Sequence, residues 1–204
     1  MKLLLTLTLF SGLALQVSAT PISFDFADPK GVNTISFNLD GPLESISGTA
    51  KGVSGRVQFD PKAPENTTGT IDLDVSSLHV GNPRMKGHLH GPQWMDVAKH
   101  PDIQFKVARL NNVETTGNIT SADIVGEITV KGVTRAVTAK TTLTYLKGKL
   151  KARMGPRGQD GDLLVIRTKF SIFRNDFGIS AGQSNEKVAN EIEISMSIAG
   201  QAPY

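Results

Sequence analysis

Histidines, paired aspartates and one arginine carry most of the chemistry open to this chain. His88 and His90 stand one residue apart; in a strand both would point the same way. With His79 or His100 as a further ligand, and Met85 and Met95 flanking the pair, they could hold a soft metal such as copper. The pair lies in a Gly/Pro-rich connection with no carboxylate cluster to complete a site, so no metal and no other cofactor is assigned. Asp160 and Asp162 lack the ligand spacing of a calcium loop and read as a turn. Gly48, Gly52 and Gly55 lack the Lys-Ser/Thr ending of a phosphate loop. Asp72 and Asp74 alternate with Ile71 and Leu73, which puts both on the wet face of a strand. Without burial to separate their pKa values, they are not an acid–base pair. Nucleophile-elbow, zinc-protease and dinucleotide signatures are missing, so the chain is read as a non-enzyme.

Composition narrows the classes further. The 204 residues are 39% hydrophobic and 20% charged, an ordinary globular balance with enough apolar material for a real core. The net charge of +3 comes without a dense basic run, which argues against a nucleic-acid partner. The chain has no cysteine, which removes disulfides, thiolate metal sites and cysteine nucleophiles together. Residues 1–19 read as a cleaved secretory signal: Lys2, an apolar run from Leu3 to Leu15, then Val17-Ser18-Ala19. That run is short for a membrane span, and no later stretch approaches one. The expected mature chain, 20–204, is a single exported domain with no transmembrane segment.

The dominant period is two. Ile103, Phe105 and Val107 alternate with polar residues, as do Ile124 to Val130, Val137 to Tyr145, Ile166 to Ile172 and Ile192 to Ile198. Earlier strands are expected near 22–27, 34–40, 43–50 and 53–60, separated by Gly41-Pro42, Lys51-Gly52 and Asp60-Pro61. Short antiparallel strands with little helix predict an all-β fold, a sandwich or closed barrel. Helix is expected only between about 82 and 99, with Pro92 at a helix start. The segment 147–162 is expected to be a flexible loop.

The order of several motifs resembles the YceI-like family. They are Gly55 to Pro61, Asp72 to Leu78, His88-Leu89, Trp94 to Phe105, Gly126 to Arg135 and Phe173 to Gly178, spread over roughly 24–200. Trp94-Met95 stands where the family usually has paired phenylalanines, and 147–162 also departs from it. The resemblance implies a lipocalin-like antiparallel barrel of about eight strands, exported to the periplasm. Its apolar lumen would take a polyisoprenoid, an isoprenoid quinone or a fatty-acid-like amphiphile. The glycosylation sequons at Asn66 and Asn118 would carry no meaning in that compartment.

A small barrel is either filled by its own side chains or holds one slender ligand. Small inward residues such as Gly126 and Ala139 could leave a channel. The residues assigned to a ligand are Trp94, Phe105, Ile128, Phe170, Arg174 and Phe177. Trp94 and Phe105 serve equally as core residues. Arg174 could meet a phosphate or carbonyl at the barrel mouth, but an Arg174–Asp176 pair tying a turn is the simpler reading. The chain is therefore expected to carry or sequester a long apolar molecule. A ligand-free interaction or stress-protective module and a His-based metal protein are the alternatives. A homodimer is compatible with all three.

Overall fold

The computed structural model describes residues 20–182 and 184–204, so the proposed signal segment lies outside the described residues. Eleven strands form one antiparallel sheet: β1 (Ile22–Asp25), β2 (Thr34–Asp40), β3 (Ser45–Ala50), β4 (Val53–Phe59), β5 (Thr68–Asp74), β6 (His79–Val80), β7 (Asp102–Thr116), β8 (Ile119–Val130), β9 (Val133–Leu146), β10 (Gly161–Phe173) and β11 (Glu191–Pro203). Among the described residues two α-helices interrupt them, α1 (Pro83–His90) and α2 (Leu150–Met154). Neighbours run β1-β4-β5-β7-β8-β9-β10-β11, and a β1–β11 contact at Asp25 and Gln201 closes this ring of eight. β2 also pairs with β11, through Glu193 to Ser197, and carries β3 and β6 with it. Strand polarity follows from alternation: inward Ile124, Ile128 and Val130 are buried while Glu127 between them is exposed.

One end of the barrel is solid. Phe24, Phe26, Phe59 and Leu164 are fully buried there, and the ring of Tyr145 lies 6.3 Å from those of Phe24 and Phe59. The Tyr145 hydroxyl donates to Asp162 at 2.7 Å, and the Gly148 amide donates to the same carboxylate. Burial first, then the hydrogen bond and charge of Asp162, push the Tyr145 phenol well above its ordinary range. This floor therefore keeps a neutral, donating phenol.

Two local expectations change. Asn82, not the segment before Pro92, starts the helix: its side chain accepts from the Arg84 and Met85 amides, with Pro83 in the first turn. Residues 91–99 are turns instead of helix, and Asp96 takes φ 48°, a left-handed conformation that stops helical propagation. The segment 147–162 is folded onto the barrel and contains α2. Arg153 at its end reaches Asp28 at 3.3 Å and accepts from Lys30 through its carbonyl. Lys- and Arg-rich composition suggested a loop because the partner carboxylate is remote in sequence.

Asp28 organises this corner. Burial would raise its pKa, but amide hydrogen bonds from Asn33, Val32 and Lys30 and the charge of Arg153 bring it below the ordinary 3.8. The folded value is depressed, so its stabilisation is present above the unfolded pKa and is lost as pH falls through the folded one. Urea midpoints measured from pH 6 to pH 2 should fall less steeply for Asp28→Asn than for the native chain, with the two converging in acid.

Gly126 shows how the wall is packed. A methyl group there would stand 2.5 Å from Phe105 Cζ and 2.5 Å from the Lys106 carbonyl. The missing side chain is thus filled by the Phe105 ring from the neighbouring strand, and Gly126 opens no channel. Gly126→Ala should cost about 1–3 kcal/mol in urea unfolding, the range for overpacking a core. An unchanged midpoint would show that the ring is free to move away.

Candidate functional site

Above the aromatic floor the inward faces do not meet. They enclose a cavity of about 160 Å³ lined almost wholly by apolar side chains. On β10 the lining runs from Ile166 through Thr168 and Phe170 to Ile172. That is about 20 Å along the strand at ~3.3 Å per residue, or roughly 15 Å along the axis of a barrel whose strands tilt about 40°. Ile124, Ile128 and Val130 of β8 and Ile192, Ile194 and Met196 of β11 line it on either side, and Ile71 and Leu73 of β5 lie across the ring from β10. Ala139 is the small residue that leaves room. A volume of this size takes a benzene-sized group in a static wall. A longer tail needs the wall to give, and Met196, Met95 and Leu89 are the adaptable side chains that face it.

A lid covers the end opposite the floor. It is made from α1, the turns after it, and the segment beyond β10; Leu89, Trp94, Met95 and Ile179 line the cavity from there. The two halves are stitched together. The Ser180 amide donates to the Gln93 carbonyl at 2.6 Å. Lys131 Nζ reaches both the Pro92 carbonyl at 3.3 Å and the Gly178 carbonyl at 3.2 Å.

Of the residues assigned from sequence, Trp94, Phe105, Ile128 and Phe170 line the cavity. Phe105 and Phe170 face each other with ring centres 6.5 Å apart. Phe177 is buried in the core beside the lid and does not line the cavity.

Arg174 has a different use from the head-group contact considered for it. Its side chain is fully buried, and burial lowers its pKa from the ordinary value. It donates to the carbonyls of Ile179 and Ser180 at 2.9 and 2.7 Å, to Ala189 at 3.2 Å, and to Asn185 Oδ1 at 3.1 Å. It therefore ties a loop through backbone carbonyls of the segment that follows it, in place of the Asp176 pairing expected for it. A planar fork with several fixed donors suits that task; an ammonium does not.

His88 and His90 fall in the last turn of α1, where residues two apart do not face each other. His90 Nε2 lies 2.9 Å from the Leu78 carbonyl. Among the described residues, no three His, Cys, Asp or Glu side chains gather as a metal site. Among the same residues, no helix is long and apolar enough to cross a membrane. Sequence reasoning missed Thr67, Thr141 and Thr168, which also line the cavity. Their place in the period-two pattern of Val137 to Tyr145 and Ile166 to Ile172 is the signal that would have found two of them.

The model of the YceI-like domain matches residues 27–199. The chain belongs to the YceI-like family. Among curated relatives, a UPF0312 protein of Pseudomonas putida is 30% identical over 150 residues, covering 73% of this chain and 72% of that protein. One from Pseudomonas fluorescens is 32% identical over the same length and shares. Solved structures extend the likeness. Burkholderia cenocepacia BcnA aligns with a TM-score of 0.65 at 20% identity, over 82% of this chain and 95% of that one. A polyisoprenoid binding domain from Saccharophagus degradans aligns with a TM-score of 0.64 at 10% identity, over 90% and 99%. At such identities these neighbours establish the shared barrel.

Removing the Arg174 fork leaves several buried carbonyls without donors, each costing about 1–3 kcal/mol. Arg174→Met should therefore lose roughly 3 kcal/mol or more in urea unfolding. It should also shift Trp94 fluorescence to the red, because the loop Arg174 holds is bonded to the Trp94 segment. Native-like emission and midpoint in this variant would show that the lid does not depend on the clamp.

Proposed function

We propose that the protein is a periplasmic carrier or sequestering protein for a long-chain apolar molecule of the isoprenoid type, held in the barrel lumen. The carrying observation is the lidded, almost wholly apolar cavity lined by Trp94, Phe105, Ile128 and Phe170. Each CH₂ taken from water into such a lumen contributes about 0.8 kcal/mol. A long tail therefore binds without specific polar contacts. The solved neighbour described as a polyisoprenoid binding domain supports the ligand class. The leader-like residues 1–19 support export.

The full chain, expressed with its leader and recovered from an osmotic-shock extract, should carry a long-chain apolar molecule in native mass spectrometry. Ala139→Phe fills the lumen from β9; it should reduce that occupancy more than tenfold with its circular dichroism unchanged. Equal occupancy in the filled variant, or a native chain that neither retains nor takes up geranylgeraniol, would end the lumen-binding reading.

A further inference from the structure

Charge is spread unevenly over the two ends of the barrel. At the lid it is mixed and partly paired, as in Lys187 with Glu44 at 3.9 Å and Lys99 with Asp96 at 3.6 Å. At the floor the connection from β9 to β10 carries Lys147, Lys149, Lys151, Arg153 and Arg157, and no Asp or Glu stands between Glu127 and Asp160. Small and apolar residues separate these cations, so no run is continuous and the net charge of +3 conceals them. The acids Asp60 and Glu65 belong to the β4–β5 connection, across the ring from β9 and β10, and Glu114 stands on β7, two strands from β9.

The fold holds this segment in place and turns its charge outward. Leu150 is buried, and its Cδ2 lies where a methyl group on Gly161 would meet it at 2.8 Å. Arg153 is engaged by Asp28, and Lys30 Nζ donates to the Arg153 carbonyl at 2.8 Å, which adds a further cation to the same corner. Lys147, Lys149, Lys151 and Arg157 remain exposed and make no ion pair among the described residues. Apolar side chains stand beside them: Val32, Ile119 and Tyr204 are 57%, 44% and 76% exposed. The Val32 amide donates to Asp28, the carboxylate that holds Arg153. Ile119 pairs with Thr144 near the end of β9, and the Tyr204 hydroxyl lies 3.7 Å from the place of a methyl group on Gly148.

We infer that this floor face docks on a bilayer of anionic phospholipids. A single anion would need donors converging on one point, whereas lysines spread along an exposed segment match a plane of head-group charge. Lysine stems and the apolar side chains beside them suit the boundary between head groups and acyl chains. The barrel then sits with its sealed end on the membrane and its Trp94 lid facing away, so a guest exchanges on the side remote from that bilayer. The inference goes beyond lumen binding and stands apart from it, because no residue of this face lines the cavity.

Protein from the osmotic-shock extract should sediment with phosphatidylcholine vesicles containing about 30% phosphatidylglycerol roughly tenfold better, or more, than with phosphatidylcholine alone. Salt at about 1 M, where the Debye length is about 3 Å, should remove the difference. Each lysine near such a surface changes partitioning about fivefold. The combined change Lys147→Gln, Lys149→Gln and Lys151→Gln should therefore weaken binding by more than about tenfold. Arg84→Gln with Lys86→Gln, on the lid helix, should leave it within about twofold. All five side chains are exposed, so circular dichroism should stay native in both variants. Equal sedimentation with the two vesicle types, undiminished binding by the floor variant, or an equal loss in the lid variant would overturn floor docking. Retention on polyglutamate without vesicle binding would also overturn it and give the face to an acidic protein. Lumen occupancy of the floor variant, read by native mass spectrometry, should match that of the native chain.

Discussion

The ladder along β11 is the constraint from which the lumen follows. β11 pairs with β10 over its whole length on one side, and with β2 and then β1 on the other. A sheet closed this way has an inside that water can reach only through its ends. The floor residues Phe24, Phe26, Phe59 and Tyr145 fill one end, and the lid covers the other. What lies between them is set by side-chain volume. Where aromatic rings converge the barrel is solid; where Ala139 and the aliphatic rows of β8, β10 and β11 line the inside it is not.

Polar groups inside this fold serve closure before they serve anything else. Arg174 is a buried cation, yet its donors are matched to carbonyls of the loop that completes the lid. Asp162 is buried, yet it is held by a phenol and an amide at the floor. Inside the wall, the hydroxyls of Thr141 and Thr168 bond the carbonyls of Ala139 and Lys140. An unpaired polar group in so dry an interior is costly, so each is used structurally.

The strand pattern was legible because a two-residue period has one physical meaning in a half-buried sheet. The four early strands, the long hairpins and the helical insertion near 82–99 all lie close to where alternation and turn residues put them. The lumen residues Trp94, Phe105, Ile128 and Phe170 were legible for the same reason: each is an apolar member of an inward row or of the insertion above it. Arg174 was not. A charged residue at a strand end reads as exposed, and only the return of Ile179, Ser180 and Ala189 around it makes it the largest fully buried side chain among the described residues. α2 was missed because what holds it, Asp28, is far away along the chain. A bulge in β7 between Val107 and Arg109 also shifts the parity, so that Leu110 and not Arg109 turns inward.

The residues alone determined that this chain makes an antiparallel, cysteine-free, all-β fold with one oily face, because alternation and composition are local properties. Whether that face encloses free space was decided only by tertiary packing. Gly126 and Ala139 look alike in the sequence, but a ring from the next strand fills the space at the first, whereas the second borders the cavity. Void volume is a difference between large opposing shapes, and it depends on neighbours that no stretch of sequence specifies by itself.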